Sequence, residues 1–129
     1  MNHLLVTNDY PPKVGGIQSY LWEIYRRLPQ EEVAILCSAY ANSENFDAEQ
    51  NHKIIRTKQR VLFPTAKLAN VVRKVVTDHK IDFVMFDPAV PVGILGPKIG
   101  KLFTSICFCT WALGSHRGGK KLYEITDKQ

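Results

Sequence analysis

The apolar residues of this chain arrive in short unbroken blocks, and between the blocks the spacing changes to that of a helix. Leu4-Leu5-Val6, Val33-Ala34-Ile35-Leu36-Cys37 and Phe83-Val84-Met85-Phe86 are such blocks. A strand wet on one face alternates apolar and polar residues, so an unbroken run calls for cover on both faces, as in a parallel sheet. Five spans read as strands: His3 to Asn8, Val33 to Ser38, Lys53 to Thr57, Asp82 to Phe86 and Thr104 to Thr110. Between the first two, Ile17, Tyr20, Leu21, Ile24 and Leu28 recur at helical spacing until Pro29 stops them. After the third, Thr65 is placed to cap a helix with Leu68, Val71, Val72, Val75 and Val76 as its stripe. A helix over 92–103 is weakened by Gly93, Gly96, Pro97 and Gly100, and the acidic stretch through Asn51 reads as a loop. Strand and helix alternate, which predicts a doubly wound α/β fold with the first strand central.

At 129 residues the chain suits one domain, and any function that needs a second must find it elsewhere. Residues 1–110 carry the pattern; 111–129 are basic, poor in apolar residues, and read as a loosely ordered tail. Cys37, Cys107 and Cys109 are odd in number and lie inside apolar runs, so they read as small core residues in a reducing compartment. No metal site is expected, because nothing completes a tetrahedral set around Cys107 and Cys109. No signal peptide and no apolar run of about 20 residues is visible, which points to the cytoplasm. The net charge of +5 calls for an anionic partner without choosing one.

The turn after the first strand bears the chemistry. Tyr10-Pro11-Pro12-Lys13-Val14-Gly15-Gly16 cannot be regular structure, and it ends where a helix begins. It lies at the carboxyl end of a strand, where doubly wound sheets bind ligands. Glycines before a helix let an anion approach the free amides of the first turn. The spacing is not G-x-G-x-x-G, which leaves a dinucleotide site unsupported. Taken alone, Gly-Gly is equally compatible with a tight strand–helix connection.

The wider wording, Val6-Thr-Asn-Asp-Tyr-Pro-Pro-Lys-Val-Gly-Gly-Ile-Gln-Ser-Tyr20, resembles the amino-terminal signature of retaining GT-B glycosyltransferases of family 4. It is most similar to the actinobacterial phosphatidylinositol mannosyltransferases. The likeness continues in Arg60-Val-Leu-Phe-Pro-Thr65, Ile81-Asp-Phe-Val-Met-Phe86 and Ala89-Val-Pro-Val-Gly-Ile-Leu95, and spans about 4–110. It implies the acceptor-side Rossmann-like half of a GT-B fold, with Gly15 and Gly16 approaching the phosphates of a nucleotide-diphosphate sugar, GDP-mannose. Gln18, with Asp9 and Tyr10, would line the place of a phosphatidylinositol-type lipid acceptor. Such enzymes need no metal, because cationic side chains and helix dipoles offset the diphosphate.

Between Lys53 and Lys80, eight basic residues face only Asp78. A solvated helix face would explain them. Their concentration beside Val61, Leu62 and Phe63, all three expected to be exposed, also suits an anionic membrane surface, which Arg60, Lys67, Arg73 and Lys74 would face from the inner side. Nucleic acid is not expected, since no binding motif or interleaved aromatic ladder is present. The resemblance also leads one to expect a Thr-His-Gly-His-Glu stretch after the fifth strand, its first histidine beside the reacting sugar. Trp111 stands at that place, His116 follows beyond a glycine, and no catalytic residue is assigned. The reading is therefore a truncated fragment, lacking the donor-binding domain and inactive alone. A non-catalytic module for an anionic lipid surface or phosphorylated ligand is the alternative.

Overall fold

The computed structural model describes residues 2–87 and the strand 106–109. Five strands, β1 (His3–Thr7), β2 (Val33–Cys37), β3 (Lys53–Arg56), β4 (Phe83–Asp87) and β5 (Ile106–Cys109), form one sheet in the order β3-β2-β1-β4-β5. Every pairing is parallel, and β1 is central. The expected Rossmann-like class and the five strands are present, within one or two residues at each end. Residues 88–105 and 110–129, with the helix and tail read from the sequence, lie outside the described residues.

The unbroken runs are explained by a core on each side. Alternate strand residues point to opposite faces. Leu4, Val6, Ala34, Leu36, Val84 and Phe86 join one apolar cluster, while Leu5, Val33, Ile35 and Cys37 join the other. Helix α3 (Ala66–Asp78) covers the first cluster with Leu68, Ala69, Val72, Val75 and Val76. Its cap is Thr65, whose hydroxyl accepts from Leu68 N at 3.2 Å.

Helix α1 (Gly16–Tyr25) covers the second cluster, and there the expected stripe is corrected. Its buried residues are Gln18, Leu21 and Tyr25, whereas Tyr20 is 64% and Ile24 37% exposed. The apolar spacing misses this because a polar residue, Gln18, takes an inward position and finds a partner there. The helix also ends three residues before Leu28; Arg27 N and Leu28 N instead bond back to Ile24 and Tyr25 carbonyls in tighter turns.

Two further expectations are corrected. The acidic stretch before Asn51 is not all loop, since Glu44–Glu49 forms a short helix, α2. Glu44 and Asp47 in its first turn favour the positive end of the helix, and Phe46 packs on the second cluster. Leu62 is fully buried, unlike Val61 and Phe63 beside it. The Asn8 side chain grips its backbone from both sides, accepting from Leu62 N at 2.6 Å and donating to Leu62 O at 3.2 Å.

Candidate functional site

The parallel register aligns Arg56, Cys37, Thr7 and Asp87 along the carboxyl edge of the sheet. The turn between β1 and α1 rises from that edge. Thr7 starts it, its hydroxyl accepting from Asp9 N at 2.9 Å. Asp9 Oδ1 then takes two donors, Gln18 Nε2 at 3.0 Å and Lys13 Nζ at 3.1 Å. One carboxylate thus ties the start of the turn, its middle and the first turn of α1.

The two glycines do different work. Gly15, the residue before α1, has an extended backbone, so strain does not demand glycine there. Crowding does: a Cβ would stand 2.2 Å from Gln18 Oε1. Around Gly16 nothing lies within 4 Å of the same position, and the residue is exposed. Gly15 makes room for the protein's own glutamine, and Gly16 leaves room for something else.

The start of α1 has no side-chain cap and no acidic residue in its first turn. The first intrahelical bond is Ser19 N to Gly15 O at 3.1 Å, and helix geometry leaves the amides before it without an intrahelical acceptor. They and the positive end of the helix dipole suit an anion.

The sequence-expected residues therefore divide. Asp9, Gly15, Gly16 and Gln18 come together. Tyr10 does not face the open side. It is 2% exposed, folded back over the sheet against Phe46, with its hydroxyl 2.8 Å from His52 Nε2. Burial pushes the Tyr10 hydroxyl well above its ordinary range, and that of Tyr25 likewise. Burial also lifts the Cys37 thiol to about 12, which leaves it inert as a nucleophile.

Arg56, one of the eight basic residues between Lys53 and Lys80, does not belong to a solvated face. Its Nε lies 2.7 Å and its Nη2 2.8 Å from the two Asp47 oxygens. Nη2 also donates to Pro11 O at 2.6 Å and Nη1 to Ser38 O at 3.3 Å. Burial disfavours its charge, but the Asp47 hydrogen bonds and the surrounding charges outweigh this and raise its pKa. No sequence pattern flagged the pair, because Asp47 and Arg56 meet only once α2 and β3 are folded. The rest of the basic run is divided by topology. Lys53 and His79 line a pocket at the amino edge, whereas exposed Lys58, Arg60 and Lys67 flank the carboxyl edge. Lys74 is exposed on α3, and Arg73 is half-buried, donating to Asn70 Oδ1 at 3.0 Å.

No protein-family model matches the chain. It is 33% identical over 98 residues to the GDP-mannose-dependent alpha-(1-6)-phosphatidylinositol monomannoside mannosyltransferase of Mycolicibacterium smegmatis, a match covering 73% of this chain and 26% of that enzyme. The chain is a relative of phosphatidylinositol monomannoside mannosyltransferases. A Corynebacterium glutamicum enzyme named for the monoacylated form is 32% identical over 94 residues, covering 71% of this chain and 25% of that protein. A Mycobacterium tuberculosis counterpart is 32% identical over 101 residues, covering 74% and 26%. These are the enzymes that the wording of the first turn resembles. The chain spans about a quarter of the length of the curated relatives it matches. Among the described residues, no helix is long and apolar enough to cross a membrane.

Proposed function

We propose that this chain is the acceptor-side part of a mannosyltransferase that moves mannose from GDP-mannose to a phosphatidylinositol-type glycolipid. The observation behind it is that Gly15 and Gly16 open an uncapped helix at the carboxyl edge of the central strand, in a chain one-third identical to enzymes named for that donor and acceptor. In this reading the donor diphosphate approaches over Gly16, against the first-turn amides of α1. Gln18 and Asp9 meet the hydroxyls of the acceptor. Tyr10 supports the turn from beneath and touches no ligand.

Residues 1–129 on their own bind weakly and do not turn over. The turn offers one wall. Stabilising the leaving diphosphate is usually the largest electrostatic contribution in such chemistry, and one helix end supplies only part of it. An open wall also gives little gain from positioning. Exposed Val61 (44%) and Phe63 (58%), beside Lys58, Arg60 and Lys67, favour a peripheral seat on an anionic inner membrane face. Each basic residue near such a surface contributes about 1 kcal/mol.

The test is a chemical-shift titration of the labelled chain with GDP-mannose and, separately, with an inositol phosphate. Shifts at Gly16 and Gln18 are expected in the parent chain, and the shift at Gln18 should disappear in Gly16→Trp. Radiolabelled GDP-mannose with lipid acceptor is expected to leave no label in the lipid fraction. Label that depends on the chain and is abolished by Gly16→Trp would overturn the inactivity. Binding to phosphatidylinositol vesicles without any shift at Gly16 would replace this reading with a non-catalytic lipid-binding module.

A further inference from the structure

The turn from Tyr10 to Gly16 is tied at Tyr10 by His52 and at Lys13 by Asp9, but the Pro11-Pro12 stretch between them is poor in the means of holding itself. Pro11 and Pro12 have no N–H to donate, so its backbone must be fixed through carbonyls or side chains. We propose that Arg56, held by Asp47, is the positioning residue of this turn and sets where Gly15 and Gly16 stand above the sheet.

The geometry is particular to arginine. One guanidinium makes a two-pronged bond to Asp47 and still reaches Pro11 O and Ser38 O, with side-chain exposures of 12% for Arg56 and 23% for Asp47. An ammonium is a single point and cannot span those acceptors at once. Bonds from a charged donor are about twice as strong as neutral ones. The Pro11 contact, at 2.6 Å, joins positions 45 apart in the chain. It therefore ties the turn to β3, two strands away from β1. Both guanidinium edges are committed to protein acceptors, so Arg56 acts through the turn and contacts no ligand itself. Asp47 fixes the guanidinium plane and offsets its charge. The consequence for GDP-mannose rests on the proposed function; the clamp does not.

Backbone relaxation of the full labelled chain tests it in Arg56→Lys and in Asp47→Asn, the second keeping the size of the partner. Order parameters at Lys13, Val14, Gly15 and Gly16 are expected to drop from about 0.85 to below about 0.6, with Leu5 and Ile35 in the sheet unchanged. A turn that stays rigid in both variants overturns the proposal. So does an equal loss of order across turn and sheet, because Arg56 would then support the fold at large. Titrating the same samples with GDP-mannose separates the two readings. A turn that loosens in the variants, with no ligand shifts in the parent chain, upholds the clamp and removes the donor site. Shifts in the parent with a turn that remains rigid in the variants do the reverse.

Discussion

The two faces of one sheet are built from different materials. Under α3 the apolar cluster is Leu, Val, Ala, Ile and a single Phe, with the Asn8 side chain bonded to the Leu62 backbone at its edge. Under α1 it contains Tyr10, Tyr25 and Cys37, with His3, His52 and Gln30 bonded to its edges. Burying polar groups costs free energy unless each finds a partner, so the α1 face depends on its hydrogen bonds in a way the α3 face does not. What the polar face gains is direction. Hydrogen bonds fix angles and identities, whereas aliphatic contacts accept many arrangements. The turn that bears Gly15 and Gly16 leans on the directional face. The α3 face holds the sheet together, and the α1 face aims the turn.

The sharpest way to break this division is to damage the α3 face and watch the turn. Leu36 is fully buried on that side. Leu36→Ala should cost about 2–5 kcal/mol in a denaturant melt. The shifts of Gly15 and Gly16 in the folded protein should stay put. Movement of those shifts with the loss of stability would show that the faces are not separable.

Tyr10→Phe makes the opposite cut. The hydroxyl goes, and His52 Nε2 loses its partner at 2.8 Å in a buried setting. The expected cost is about 1–3 kcal/mol, smaller than for Leu36→Ala, yet with clear shifts at Gly15 and Gly16. A variant of parent stability with an unmoved turn would deny the polar face its aiming role.

Gly15→Ala sharpens the comparison within the turn. The new methyl must displace the Gln18 side chain, which then gives up its bond to Asp9. The lost bond is worth about 0.5–1.5 kcal/mol. Gly16→Ala meets nothing and, lying inside the helix, should be neutral or slightly stabilising. Equal melts for the two would remove the distinction drawn between the glycines.

The same contrast explains what could be read in advance. Aliphatic runs and the Leu68, Val72, Val75 and Val76 stripe obey period rules, so the sheet and α3 were legible from spacing alone. The α1 face was not. Its inward residues include Gln18, and the Tyr10 ring that seals it comes from a turn, where no period applies. Asp47 and Arg56 carry opposite charges nine positions apart, and nothing local marks them as partners. Leu62 sits in a Val-Leu-Phe run where each residue is apolar, and only Asn8, far away in sequence, decides which one turns inward.

The smallest expected effect is a pH dependence confined to the α1 face. His52 is buried with Nδ1 2.8 Å from Gln30 Oε1 and Nε2 2.8 Å from the Tyr10 hydroxyl. Taking the amide oxygen as acceptor assigns the ring proton to Nδ1, and the Gln30 nitrogen confirms that orientation by donating to Tyr25 and Leu28 carbonyls. Nε2 then accepts from Tyr10, and a second ring proton would turn that acceptor into a donor. Desolvation lowers the pKa of His52 below its ordinary 6.5 although Asp47 acts to raise it, and desolvation lowers that of His3 too. The folded chain thus binds protons less readily than the unfolded one, so stability rises with pH across this window. It is full above about pH 7 and falls as pH drops below the unfolded value of 6.5. Melting temperatures between pH 7 and 5, above the range where carboxylates ordinarily titrate, should show a gentle decline. His52→Gln should flatten part of that slope, and His3→Gln part of the remainder, while Leu36→Ala should lower the whole curve without changing its shape. An unchanged slope in the His52→Gln, His3→Gln double variant would place the titrating group elsewhere.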